Sequence, residues 1–147
     1  MNRYVVLGAC LGLFSSAVVA DLRIHKEGRK DKKQYCYTDL VVRSNGAYKA
    51  KTTFSNGKKI DGDHFWANMI VFDMDKKPLI VVRHAAGVGA ALSGGATERR
   101  VESIGKTDPG VLARIERRGT KYQCSGTNKI PDKDLAEAVV KIIEILL

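Results

Sequence analysis

Two cysteines, Cys36 and Cys124, constrain the fold of this chain more than any other feature. They are the only cysteines that remain if an N-terminal export signal is removed, because Cys10 lies within that signal. Two cysteines in an exported chain are by default joined, so we predict a disulfide that closes a loop of about 88 residues. In the loop-entropy model, such a link stabilises a domain by roughly 4 to 5 kcal/mol.

The first 20 residues have the pattern of an export signal. Arg3 gives a positive start, residues 4–19 are almost all apolar or small, and the small residues VVA before Asp21 suit signal peptidase. We therefore predict cleavage after residue 20 and a secreted protein, extracellular or, in a bacterium, periplasmic. The alternatives are acylation of Cys10 in LGAC, as in lipoproteins, and a membrane anchor, for which the apolar stretch is shorter than the roughly 20 residues needed.

The part after the signal is one basic domain. Its 127 residues, 147 less the 20 of the signal, are enough for a single hydrophobic core. Without Arg3 it has 24 basic and 16 acidic residues, a net charge of +8. Such an excess attracts phosphate backbones, anionic membranes or acidic proteins, and the alternative is a solvated basic surface without a ligand. Residues 25–33, HKEGRKDKK, contain no apolar side chain and indicate a flexible basic arm over residues 21–34.

The residues after the arm alternate as β-strands do. Residues 45–46 and 56–57 are both Asn-Gly and lie between alternating or β-branched segments, which predicts two hairpin turns in a meander from about residue 37 to residue 60. Two apolar runs, residues 66–72 and 79–83, are separated by the charged turn DMDKKP. These runs predict two central strands of an antiparallel sheet.

The last third of the chain is less regular. Residues 84–96, HAAGVGAALSGGA, favour a mobile loop, with a phosphate cradle or a packing helix of small residues as alternatives. Residues 97–119 suit a hairpin that turns at DPG or, slightly better, a short helix capped by Asp108. A strand at residues 122–124 precedes a helix over residues 132–147, where apolar residues recur at helical spacing.

These elements predict an α+β fold. An antiparallel β-sheet of about five strands is expected to pack against the C-terminal α-helix, because the apolar face of that helix must be buried. One disulfide is expected within it. Residues 35–147 would form this single domain.

Two segments resemble a known family. KYQCSGTNKI followed by a helix resembles the Tyr-x-Cys strand and helix that open many secreted, ribonuclease-like fungal effectors. Residues 69–87, MIVFDMDKKPLIVVRHAAG, are similar to the core hairpin of the small guanyl-specific fungal ribonucleases, in which a strand ends on a histidine before a glycine-containing loop. The order is permuted, because the Tyr-x-Cys segment comes last here, and residues 97–119 have no counterpart.

The resemblance implies a ribonuclease-like fold and an incomplete catalytic site. Catalysis would need a base for the ribose 2′-hydroxyl, a histidine acid and an arginine. His84 falls at the position of the acid, and His64, Asp61 and Asp63 are nearby candidates for the base. Met69 occupies the expected arginine position, which favours a module without catalysis. Each histidine also has an ordinary structural alternative: His84 would make a hydrogen bond at the end of a strand, His64 would cap or flank a strand, and His25 would be solvated in the arm.

Basic residues on the predicted strands suggest a binding surface. Alternation would place several lysines on one face, and Trp66 would stack on bases beside them or, more ordinarily, pack in the core. The candidate binding residues are Lys49, Lys51, Lys58, Lys59, Trp66 and Arg83. The sequence has no closely spaced set of three or four metal ligands, so neither a metal nor a cofactor is predicted.

We therefore expect a secreted, effector-like protein that binds a host protein or RNA and does not insert stably into a membrane. One alternative is a bacterial periplasmic inhibitor or immunity protein that neutralises an acidic toxin or enzyme. A second alternative is an active secreted ribonuclease that uses His84.

Overall fold

The computed structural model describes residues 20–60 and 62–127, and these form seven strands and one helical turn. The predicted signal up to residue 19, Asp61, and the helix predicted over residues 132–147 lie outside the described residues. The elements are β1 (Leu22–Asp31), β2 (Gln34–Val42), β3 (Ala47–Asn56), β4 (Asp63–Phe72), β5 (Pro78–Val88), β6 (Thr97–Lys106), α1 (Val111–Arg114) and β7 (Lys121–Thr127).

The strands form two antiparallel sheets that pack face to face. The larger sheet has the order β1-β2-β3-β6 and the smaller sheet has the order β5-β4-β7. β1 lies against β7, and β6 lies against β5, so both pairs of sheet edges meet. The arrangement is a β-sandwich in which each sheet covers the apolar face of the other.

Alternation of side chains along the strands produces the core. In β2, Cys36, Thr38, Leu40 and Val42 are buried, and the residues that alternate with them are more exposed. One core cluster lies at the end of the sandwich where β1 begins, and a second, smaller cluster lies toward the other end. The larger fully buried side chains of these clusters are Leu40, Val42, Phe54, Phe65, Met69 and Val71.

The predicted α+β fold is wrong. In the described residues, a second sheet and not a helix covers the inner face of the larger sheet, and seven strands replace the expected five or so. Two stacked antiparallel sheets do not fit the fold of the small fungal ribonucleases, so the proposed resemblance is wrong as well. The hairpin that suggested the resemblance is real, but a local hairpin occurs in many β topologies.

Residues 22–31, expected to belong to a flexible arm, form β1. This strand lies at an edge of the larger sheet, and Leu22 and Ile24 are its only buried residues. A half-solvated edge strand needs few apolar residues, and charges along it discourage pairing with other chains. The charged run HKEGRKDKK is therefore compatible with a strand.

One of the two predicted hairpin turns is confirmed. Gly46 has a φ of +82° in the tight turn between β2 and β3, where the Arg43 N-H donates to the Ala47 carbonyl at 2.8 Å. At the second Asn-Gly pair β3 ends, and the chain crosses to the other sheet. The side chain of Asn56 is buried there and holds the crossing, donating to the Gly89 carbonyl and accepting from the Lys58 N-H.

The two predicted strands are confirmed as β4 and β5, which pair around the DMDKKP turn, but only β4 is central and β5 lies at the edge of the smaller sheet. The expected glycine loop is shorter than predicted, because β5 continues to Val88 and only residues 89–96 connect it to β6. In residues 97–119, both alternatives are partly realised. Residues 97–106 form β6, and the favoured helix is a single turn, α1.

Cys36 and Cys124 lie at disulfide distance, as predicted, with their Cα atoms 5.7 Å apart. The link joins β2 of the larger sheet to β7 of the smaller one, so it ties the two layers together. Gly28 on β1 leaves room for it, because a Cβ atom at that position would lie 2.7 Å from the Cβ of Cys124.

Candidate binding surface

The outer face of the larger sheet carries rows of side chains that cross all four strands. The strand register aligns Arg23, Val41, Lys49 and Ile104 in one such row. The next outward row, two residues along each strand, contains His25, Asp39, Lys51 and Glu102. Strand pairing therefore places side chains from distant parts of the sequence on one surface.

A shallow depression of about 780 Å³ lies on this face, at the end of the sheet where β1 begins. Four basic side chains line it against a single acidic one, Asp21. Ile104 also lines it and is 83% exposed, which is unusual for an isoleucine in a strand. We call this region the basic sheet surface, and its defining residues are Arg23, Val41, Arg43, Lys49, Ile104 and Lys106.

Opposite charges on this face are paired, and one of the four basic side chains that line the depression, Lys49, takes part in such a pair. Lys49 Nζ lies 2.7 Å from Glu102 Oε2, and this hydrogen bond lowers the pKa of Glu102. In the row that contains Glu102, His25 Nδ1 lies 2.6 Å from Asp39 Oδ1. The positive excess of the face is thus concentrated at the depression, where Arg23, Arg43 and Lys106 are exposed.

The structure brings some of the predicted binding residues together and separates others. Lys49 and Lys51 share the outer face of β3, whereas Lys58 and Lys59 lie in the connection beyond the end of that strand. Arg83 lies in the other sheet, on β5. Trp66 is in β4 and is only 7% exposed, which leaves little of its ring surface for a ligand.

Most of the basic sheet surface was missed by the sequence reasoning. Arg23 lies in the segment predicted to be a flexible arm, and Arg43 lies just before the predicted turn at residues 45–46. Ile104 and Lys106 lie in β6, where the sequence favours a short helix slightly over a hairpin. The alternation of apolar and polar residues could have revealed β1, since the buried Leu22 and Ile24 lie on either side of Arg23.

His84 and His64 lie on opposite faces of the smaller sheet and do not form a joint site. His84 pairs with Ala67, which faces the core, and His64 precedes Ala67 by three residues, so alternation turns the two histidines apart. His84 is 6% exposed, and His64 is exposed. The catalytic roles considered for them depended on the ribonuclease resemblance, which the fold does not support.

Of the two aspartates considered as a base, Asp63 is buried and its Oδ2 lies 2.9 Å from Lys30 Nζ. Asp61 lies outside the described residues. Within the described ranges, 20–60 and 62–127, no group of three His, Cys, Asp or Glu side chains is arranged to hold a metal ion.

His84 belongs to a chain of hydrogen bonds that links the two sheets through the core. Its Nδ1 lies 2.7 Å from Thr52 Oγ1, and its Nε2 lies 2.8 Å from Ser103 Oγ. Thr52 Oγ1 is 2.6 Å from Thr38 Oγ1, which in turn bonds the Tyr122 hydroxyl at 3.2 Å. Burial lowers the pKa of His84 and raises the pKa of Tyr122 to about 12, so both groups are neutral in the folded protein at pH 7.

The protein is expected to lose stability as the pH is lowered, because of His84. Burial lowers the pKa of its ring below the ordinary 6.5, so the unfolded chain binds this proton at a higher pH than the folded chain does. The stabilising contribution is complete above about pH 6.5 and is lost as the pH falls toward the folded pKa.

Urea unfolding between about pH 7 and pH 5 measures this effect, with His84→Gln as the control that lacks the titrating ring. The free energy of unfolding should decrease more steeply toward acid in the wild type than in the variant. Equal slopes in the two proteins would contradict a buried, neutral His84.

Comparisons with known proteins do not assign the chain to a family. No family model matches it, and no curated protein matches it. Among solved structures, the chain is similar to the crystal structure of a DUF1425 family member from Shewanella sp. pv-4, with a TM-score of 0.35 and 8% identity. The match covers 73% of this chain and 99% of the other. A likeness at this level supports no functional conclusion.

In the described residues, no helix has the length and hydrophobicity to span a bilayer.

Proposed function

We propose that this chain is an exported β-sandwich module that binds an acidic protein through its basic sheet surface. The observation that carries the proposal is the exposed Ile104 beside four basic side chains on a rigid sheet. Protein interfaces commonly combine an apolar centre with a polar rim, and charge complementarity selects the partner. The partner should therefore present an apolar recess surrounded by carboxylates.

The charge pattern of the face favours a protein over RNA. Glu102 and Asp39 lie in the row next to the depression, and Glu27 pairs with β2 one row further along. These carboxylates interrupt the positive potential that a phosphate backbone would follow along the sheet. An acidic toxin or enzyme, recognised at one end of the sheet, fits the pattern better.

Export is supported by two features of the chain. The first 20 residues have the signal pattern, and the disulfide is of a kind that persists in oxidising compartments outside the cytosol. Cleavage after Ala20 would create an α-amino group on Asp21, which lines the depression. The processed protein would thus carry one more positive charge at the proposed site.

The proposal is tested by capturing partners with the exported protein and with two charge-reversed variants. Arg43→Glu/Lys106→Glu alters the basic sheet surface, and Arg83→Glu/Lys121→Glu makes the same charge change on exposed residues of the smaller sheet. The first variant should bind the captured protein roughly 100-fold more weakly, and the second should bind it as the wild type does. Isothermal titration with the purified partner measures both.

Three outcomes would contradict the proposal. Undiminished binding by Arg43→Glu/Lys106→Glu would show that the partner uses another surface. Equal loss in both variants would show that only net charge matters. Capture that disappears after nuclease treatment would identify the partner as RNA.

A further inference from the structure

The end of the sandwich opposite the basic sheet surface is built from three adjoining connections. They are the β1–β2 turn, the β3–β4 connection and the β5–β6 connection. The Gly57 N-H donates to the Lys33 carbonyl at 2.7 Å, and the Ala91 N-H donates to the Lys58 carbonyl at 2.8 Å. We call this region the loop end.

Two large aliphatic side chains project from the loop end. Ile60 in the β3–β4 connection is 87% exposed, and Leu92 in the β5–β6 connection is 85% exposed. Single exposed aliphatic residues are common on protein surfaces, but these two lie on connections that are hydrogen bonded to each other. Ile60 and Leu92 lie within two residues of the Ala91–Lys58 hydrogen bond and belong to neither core cluster, and we call them together the apolar tip.

Exposed lysines flank this apolar tip. Lys32 and Lys33 lie in the β1–β2 turn, and Lys59 is next to Ile60. The described acidic groups nearby are already paired, since Asp31 Oδ2 lies 3.1 Å from Lys58 Nζ and Asp63 is buried against Lys30. The residues of the β5–β6 connection, 89–96, carry no charge. The loop end therefore presents aliphatic side chains with positive charge beside them.

We propose that the loop end docks on the surface of an anionic lipid bilayer. Ile60 and Leu92 enter the boundary between headgroups and acyl chains, and Lys32, Lys33 and Lys59 contact lipid phosphates. Burial of aliphatic area together with attraction of lysines to anionic lipid is the combination that holds proteins at membrane interfaces. A bilayer fits better than a protein partner, because a lipid surface requires only aliphatic side chains with lysines beside them, whereas a protein interface also requires shape complementarity.

The glycines of the β5–β6 connection are consistent with this use. A Cβ atom at Gly94 or Gly95 would meet no heavy atom within 4 Å, so this part of the connection is surrounded by open space. Since the basic sheet surface lies at the other end of the larger sheet, a docked molecule would still present it to a protein partner. Docking of the loop end on a bilayer does not require the basic sheet surface to bind a protein.

Co-sedimentation of the exported protein with vesicles tests the proposal. Binding is expected to vesicles of phosphatidylglycerol and phosphatidylcholine in equal parts, to weaken as salt is raised, and to be absent with phosphatidylcholine alone. Ile60→Ser/Leu92→Ser should lower the partition coefficient by at least roughly tenfold. Lys32→Glu/Lys33→Glu/Lys59→Glu should lower it by roughly fivefold or more for each lysine.

A matched control uses two other exposed apolar residues. Met74→Ser/Val81→Ser removes side chains that are 70% and 38% exposed but lie outside both the loop end and the basic sheet surface, and this variant should bind vesicles as the wild type does. All of these side chains are on the surface, so unchanged thermal melting confirms that the variants are folded. Undiminished binding by the Ile60/Leu92 variant, equal binding to neutral vesicles, no binding at low salt, or displacement by inorganic phosphate would overturn the proposal.

Discussion

Replacing Cys36 and Cys124 with alanine is expected to lower the free energy of unfolding by about 4 kcal/mol. The link spans 88 positions of the sequence, so its loss returns considerable conformational entropy to the unfolded chain. It also joins the two layers of the sandwich next to Phe54 and Phe65, where no other covalent link in the described residues holds the sheets together. For a domain of this size, the melting temperature should fall by on the order of 15 °C.

Thermal unfolding with and without a reducing agent measures this contribution. The wild type should melt at a much lower temperature when reduced, whereas the double alanine variant should melt at the same low temperature in both conditions. If the reduced and oxidised wild type melted together, the disulfide would contribute nothing to stability. A double variant that still responded to the reducing agent would point to an effect unrelated to these two cysteines.

The elements that the sequence predicted are those with local signals. The Asn-Gly turn at residues 45–46 and the apolar runs of β4 and β5 can each be recognised within about ten residues of sequence, because turn residues and β-branched residues act locally. β1 was not predicted, and β6 was predicted only in the less favoured hairpin alternative, because edge strands bury few residues. β1 buries only Leu22 and Ile24, and β6 buries none of its residues fully. Charged outward positions hid the alternation in both.

The candidate site could be predicted only in part, because its geometry depends on pairing between distant segments. That Lys49 and Lys51 lie on one face follows from alternation within β3 alone. The position of Ile104 beside Lys49 follows from the pairing of β3 with β6, and no local pattern fixes that register. The partners of His84 were hidden for the same reason, since Thr52 lies 32 residues away from it in sequence.

A buried ion pair closes the core near the loop end. Asp63 has a fully buried side chain, and its Oδ2 accepts hydrogen bonds from Lys30 Nζ and from the side chain of Gln34. Burial by itself would raise the pKa of Asp63, but these interactions outweigh it and the pKa is lowered. Lys30 is 14% exposed, and its ammonium also lies 5.2 Å from the centre of the Phe65 ring.

Asp63→Leu is expected to destabilise the protein by about 3 kcal/mol, because it leaves the nearly buried ammonium of Lys30 without that carboxylate. This value is at the low end for a buried pair, since Lys30 retains some contact with water. Asp75→Leu, an exposed carboxylate in the β4–β5 turn, is the matched control and should change stability by no more than about 0.5 kcal/mol. Urea unfolding at pH 7 measures both variants.

The double variant Lys30→Met/Asp63→Leu should recover most of the stability lost in Asp63→Leu. Bringing both charges into the core costs desolvation energy, and Asp63 Oδ1 has no hydrogen-bond partner in the part of the chain that the structure describes. An apolar pair of similar volume avoids both penalties, so the double variant is expected within about 1 kcal/mol of the wild type. Losses that simply added in the double variant would show that the two side chains act independently, and the ion pair would not be the source of the effect.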